Sequence, residues 1–155
     1  MIKYILQIGM MNDPTYVGVC HLVSRYAPFS HYAFQLMMDK VGEQLINQSN
    51  VMMVVEGRVV AYAGWVKVDA LEAEKWLVDG GDVPNTNWQS GSAVIVTIVV
   101  SQDRLYLAPL IKAVSHVCAG LKVYRLRSFQ NGRTDMRRPP ITGRIHAHLN
   151  SNESI

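Results

Sequence analysis

VMMVVEGRVVAYAGW, residues 51–65, consists of two β-rich apolar runs joined by Glu56-Gly57. A two-residue link ending in glycine between β-branched runs is a hairpin signal. The second run continues to Val68, and both of its alternating sets are mostly apolar: Val59, Ala61, Ala63 and Trp65 on one face, Val60, Tyr62, Gly64 and Val66 on the other. A strand apolar on both faces is covered on both faces, so this one is expected at the centre of a sheet.

Outward from the hairpin, the chain alternates helical and strand patterns. Upstream, Asp13-Pro14 ahead of Val17, Cys20 and Val23 predicts a helix with an aspartate N-cap and proline in its first turn, ending before Pro28. Phe34, Met38, Val41 and Leu45, with Asp39, Lys40, Glu43 and Gln44 between them, predict an amphipathic second helix, with Ser30 as its N-cap and His31 in its first turn. Downstream, Asp69-Ala-Leu-Glu72 has the form of a capping box for a helix from Ala70 to Val78, closed by Gly80-Gly81. The loop from Asp82 to Gly91 is polar except for Trp88, which is expected to be exposed. Ser92 to Val100 is a buried strand, Pro109 to Ala119 a helix, and Lys122 to Phe129 an edge strand with one wet face. The expected fold is α/β (α+β), with a central, mostly antiparallel sheet and helices on both faces.

The length of 155 residues suits one domain, read as residues 1–129, followed by a basic, loosely structured tail at 130–155. Apolar residues make up 49% of the chain and charged residues 17%, an apolar balance that leaves room for a partner surface. No run reaches the ~18 apolar residues of a membrane helix. Two distant cysteines, Cys20 and Cys118, form neither a zinc spacing nor a disulfide framework, which suits a reducing, cytoplasmic setting. The pair His146 and His148 has no third ligand close in sequence, so no metal is expected. The net charge of +3 conceals a bias: Lys122, Arg125, Arg127, Arg133, Arg137, Arg138 and Arg144 face only Asp135, so this segment carries ~+6. The cluster suits an acidic protein partner, and the plain alternative is a solvated tail. Nucleic acid is less expected, since no recognised nucleic-acid motif accompanies the arginines and Phe129 is the one aromatic nearby.

The order of motifs carries a family resemblance. Val59-Val-Ala-Tyr-Ala-Gly-Trp65, the charged helix DALEAEKWL, Trp88-Gln-Ser-Gly91 and the long buried strand resemble the toxin-activating lysine acyltransferases, which prime RTX haemolysins. The resemblance runs from about His31 to Arg127 and implies an acetyltransferase-like (GNAT-like) fold. It implies transfer of a fatty acyl group from acyl carrier protein to a lysine ε-amine of a target protein, with no tightly bound cofactor; a homodimer fits it. The family's catalytic histidine falls on His31, beside Ser30. Its serine, three residues before the histidine, has Ala27 or Pro28 in its place here. Its buried-strand aspartate falls nearest Thr97, so the acid partner of the histidine is replaced by a hydroxyl. Tyr62 and Trp88, with Arg125 and Arg127, are the implied substrate and carrier contacts.

A histidine at a helix start would be kept neutral by the helix dipole and able to accept a proton from the incoming ammonium. Read blandly, His31 is a half-exposed residue near an N-cap, and Ser30 an N-cap rather than an acyl carrier. The segment Ser101-Gln-Asp-Arg104 lacks the glycines that cradle a coenzyme A pyrophosphate, which argues for a protein-borne donor. The alternative function is a catalytically inactive subunit that keeps the fold, for binding or structure in a larger phage or toxin-associated assembly.

Overall fold

The computed structural model describes residues 3–125 and 141–144. The elements run β1 (Ile5–Gln7), α1 (Asp13–Val23), α2 (Phe34–Ile46), β2 (Asn50–Val55), β3 (Arg58–Val68), α3 (Ala70–Asp79), β4 (Ala93–Ser101), α4 (Leu107–Val117), β5 (Lys122–Arg125) and β6 (Ile141–Arg144). The six strands form one sheet in chain order, antiparallel throughout except between β4 and β5. That one parallel pair requires a crossover, which α4 supplies.

The hairpin is β2–β3, and β3 lies between β2 and β4 as the centre of the sheet. Glu56 (φ 49°) and Gly57 (φ 76°) both adopt positive φ, the requirement of the tight turn whose twist matches the strands it joins. Glycine at the second position meets it without steric cost.

The alternation of β3 divides the core. Tyr62, with Met52, Ile98 and Val100, packs under α1 and α2 through Val19, Leu22, Val41 and Leu45. Ala61, Ala63 and Trp65, with Met53, Val94 and Val96, pack under α4 through Leu110 and Val114. Further along the first face, Val66, Val68 and Ile95 meet Ala73 and Trp76 of α3. Helices therefore cover both faces, three on one and α4 on the other.

Several local expectations are corrected. Asn12, not Asp13, caps α1: its side chain accepts from the Thr15 N–H at 2.9 Å, and Asp13 becomes a first-turn acid that favours the positive helix end. Ser30 does not cap α2. Phe29–His31 form a separate 3-10 turn, the chain extends at Tyr32, and α2 begins at Phe34 behind Ala33 with no side-chain cap. Asp69 precedes α3, but its carboxylate accepts from Asn87 Nδ2 at 2.8 Å instead of a helix N–H, so there is no capping box. Gly80 (φ 71°) does end α3. β5 is not an edge, because β6 pairs with it from within the segment read as a loose tail.

Cys118 is buried, and burial pushes its thiol up to about 12; burial also raises the fully enclosed Tyr62 phenol. Both groups stay protonated in the fold while the unfolded chain can ionise them, the thiol near pH ~8.5. The stability they contribute is present below that pH and is lost as pH rises toward 12. The urea midpoint is expected to fall progressively above pH ~9, with a shallower fall in Cys118→Ala.

Candidate functional site

The site is built around a fault in β4. Along β3 the register pairs Gly64 with Ile98 and Trp65 with Val96, which leaves Thr97 without an opposite residue. Such a bulge bends the strand and re-aims the extra residue. On its other edge β4 pairs with β5 only over Ala93–Ile95, and no other strand pairs with that edge among the described residues. From Val96 onward the strand has β3 on one side, and no described residue pairs with it as a strand on the other.

A buried polar network fixes the bulge. Thr97 Oγ1 accepts from Gln44 Nε2 at 2.7 Å and makes a longer 3.5 Å contact to the Gly64 carbonyl. Gln44 Oε1 accepts from the Tyr62 hydroxyl at 2.9 Å. Asn50 continues the network: its Oδ1 accepts from Gly9 N–H at 2.8 Å, while Nδ2 donates to the carbonyls of Gly9 and Gln44 at 3.0 and 3.1 Å. Gln44 and Asn50 are fully buried, and among the described residues no buried side-chain polar atom lacks a partner. A satisfied network of this kind stiffens the backbone it touches. Gly64 is required here because a Cβ at that position would overlap the Gln44 carboxamide.

In front of the bulge lies a cleft of about 610 Å³. Its floor is β4 from Ile95 to Ile98; Leu36, Met37 and Lys40 of α2, Phe29 and Tyr32, and the loop after α3 form the walls. Trp76 Nε1 donates to the Gly81 carbonyl at 3.2 Å and steadies that loop. Burial lowers the Lys40 ammonium pKa, against the opposing pull of Glu43 and Asp82. The cleft thus combines a mostly apolar floor with two charged residues, Lys40 and Asp82, on its walls.

The residues singled out from sequence are distributed unevenly around this cleft. Thr97 is on its floor, but its hydroxyl is engaged by Gln44. His31 is exposed in the 3-10 turn; its neighbours Phe29 and Tyr32 line the cleft, and it does not. Neither Thr97 nor Asp103 hydrogen-bonds the imidazole: Asp103 instead caps the turn before α4, accepting from Leu105 N–H at 2.9 Å. Ser30 lines a smaller cavity between α1 and α2. Tyr62 is enclosed behind the bulge and has no exposed surface for a substrate. Trp88 is not the exposed residue expected: it is half-buried against the α3 cluster, and its indole N–H donates to Glu43 at 3.2 Å, tying the loop to α2. Arg125 ends β5, paired with Ile141. Arg127, Arg133, Arg137 and Arg138 lie outside the described residues, as do His146 and His148. Among the described residues no cluster of three or more metal-ligating side chains occurs, and no helix is long and apolar enough to cross a membrane.

Gln44 was the residue that sequence reasoning placed wrongly, among the polar residues of the wet face of α2. Its spacing from Val41, three residues on, puts it on the apolar stripe. A polar residue on such a stripe signals a buried hydrogen bond.

Solved structures of similar architecture are known. The loading GNATL domain of CurA from Lyngbya majuscula superposes with a TM-score of 0.61 at 16% identity, over 83% of this chain and 67% of that one. This chain has a GNAT-like fold. An acetyltransferase of the GNAT family from Streptococcus agalactiae matches at TM-score 0.55 and 9% identity over 84% of this chain and 81% of that one. The GphF GNAT-like decarboxylase, solved with isobutyryl-CoA, matches at 0.53 and 14% over 80% and 65%. The chain spans about two thirds of the length of the CurA domain and of GphF. No family model and no curated protein matches the sequence. The likeness is therefore one of fold.

Proposed function

We propose that this protein is an acyltransferase that takes an acyl group from a pantetheine thioester and passes it to a primary amine. The observation that carries the reading is the Thr97 bulge of β4 before the cleft, on a strand edge that no other strand covers among the described residues. A pantetheine arm is an extended chain with two amides, and it can pair with an exposed strand edge as an added peptide strand does. Its thioester would then lie where a peptide N–H released from the ladder by the bulge can stabilise an oxyanion. The GphF neighbour was solved with an acyl thioester, which agrees with this choice of donor.

The finer reading is transfer of a fatty acyl group from acyl carrier protein to a lysine of a target protein. Its support is the motif order shared with the toxin-activating acyltransferases and the approach to α4. That approach is the 3-10 turn Arg104–Tyr106, which holds no glycine, and α4 begins there without a side-chain cap. The lack of glycine there supports a protein-borne donor over coenzyme A, and the basic segment from Lys122 suits an acidic carrier.

In the reaction the amine nitrogen attacks the thioester carbon, the carbonyl oxygen takes the negative charge, and the C–S bond then breaks to give an amide and a thiol. A lysine ammonium, with pKa ~10.4, must first lose its proton, and His31 is the proposed acceptor. His31→Ala is expected to slow transfer from loaded carrier protein to a lysine substrate by about 10²- to 10⁴-fold. Unchanged transfer would remove His31 from the mechanism.

A second reading, the fold kept without the chemistry as a binding or structural subunit, is favoured by one observation. The Thr97 hydroxyl is held by Gln44, and the Asp103 carboxylate caps a turn, so neither orients the imidazole. Mass photometry of the purified chain, with and without carrier protein, distinguishes the two: a stable assembly that binds no carrier supports this second reading.

A further inference from the structure

Beside the cleft lies a second cavity, of about 150 Å³, between α1 and α2 and partly open to solvent past Ser24, Ser30 and Phe34. Phe29, Tyr32 and Met37 line both spaces, so the two share a wall at this point. Phe29 and Tyr32 pack edge to face, with ring centroids 5.9 Å apart at 77°, which gives that wall a fixed shape. Beyond it the cavity is bounded by Cys20 and Val23 of α1 and by Met38 and Val41 of α2.

The chemistry of the two spaces differs. Lys40 and Asp82 border the cleft, and no charged residue borders the cavity. Of the cavity's hydroxyls, that of Ser24 already donates to the His21 carbonyl at 2.9 Å. An amine acceptor would have no counter-charge in the cavity, whose lining is mostly apolar. A hydrocarbon is the occupant that costs least there. Methionine is suited to such a wall because its unbranched, polarisable side chain adapts to irregular shapes.

Given the thioester reading above, on which this inference rests, we infer that the cavity receives the end of an unbranched acyl chain, threaded past Phe29, Tyr32 and Met37. A cavity of 150 Å³ matches one that admits a benzene-sized guest, so it holds about six carbons. The preferred donor therefore carries a medium-length acyl group, not acetyl and not a long fatty chain. The amine acceptor is left to the charged cleft.

The test uses the full chain and straight-chain acyl-pantetheine thioesters from C2 to C14, titrated by calorimetry. Affinity is expected to tighten about fourfold for each methylene that enters the cavity, and then to weaken once the chain outgrows it. A flat series, or one that tightens without a break to C14, overturns the inference. Cys20→Phe, which fills the cavity, is expected to flatten the series while leaving acetyl-pantetheine binding unchanged. If no thioester binds, the donor reading fails and the cavity is read by 1-hexanol instead. Hexanol should raise the Tm of the wild type but not of Cys20→Phe, and should slow N-ethylmaleimide labelling of Cys20 in the wild type. Hexanol with neither effect overturns the cavity as a hydrocarbon site, independently of any donor.

Discussion

Gly64→Ala is expected to destabilise the fold by about 3–5 kcal/mol, although it adds one methyl group. The new Cβ would overlap the carboxamide of Gln44 and press on the Tyr62 ring at 2.9 Å. Gln44 is fully buried on α2, which also buries Val41 and Leu45, and cannot swing to solvent. Displacing it strands the Tyr62 hydroxyl, whose hydrogen bond it accepts, and removes the donor to Thr97. Each buried polar group left without a partner costs about 1–3 kcal/mol, and the overpacking adds to that. Urea unfolding measures the loss. A change below about 1 kcal/mol would mean that the network can rearrange around the methyl and does not fix the bulge. Because Thr97 is held by the same network, the proposed acyltransferase reading expects the folded fraction of the variant to lose acyl transfer as well.

Asn50→Leu is expected to cost a similar amount, about 3–5 kcal/mol, through a different set of groups. Asn50 satisfies the N–H and the carbonyl of Gly9 and the carbonyl of Gln44, all through one side chain. Leucine is close in size but offers no donor or acceptor, so the Gly9 N–H and carbonyl lose the Asn50 side chain as partner, while the Gln44 carbonyl keeps the Ser49 N–H at 2.8 Å. The β1 arm depends on this contact, since β1 is three residues long and, among the described residues, pairs only with β2. Hydrogen exchange at Gly9 and along β1 should therefore rise well beyond the loss measured by global unfolding. Protection that falls only in step with global stability would show that β1 is held by its strand pairing and not by Asn50.

How far the sequence went can be followed through single residues. The Glu56-Gly57 turn and the two-faced apolar run after it were legible because each is a local signal: a positive-φ turn, and an alternation that leaves no polar face. The closing of α3 at Gly80 was legible for the same reason. Capping was read less well. Ser30 and Asp69 have the right residue types, but a cap is decided by where the backbone turns, and in this chain Asn87 takes the Asp69 carboxylate and a 3-10 turn takes Ser30. Trp88 looked exposed because its sequence neighbours are polar; its partner, Glu43, lies 45 residues away on α2. Thr97 stood out in the sequence and lies on the cleft floor, but its hydrogen bonding was not legible, since the hydroxyl's partners Gln44 and Gly64 come from two other elements.

The amino-acid sequence by itself determined the element types, the central position of β3 and the division of the apolar residues between two faces, because periodicity and turn chemistry act over a few residues. The tertiary structure alone decided the bulge at Thr97, the β4 edge that no other described strand covers beyond Ile95, the buried network that holds them, and the cleft and cavity at the head of α2. Each of these depends on strand register and on contacts between residues distant in the chain. A slip of one residue between β3 and β4, which no local pattern reports, is what separates a continuous ladder from a site.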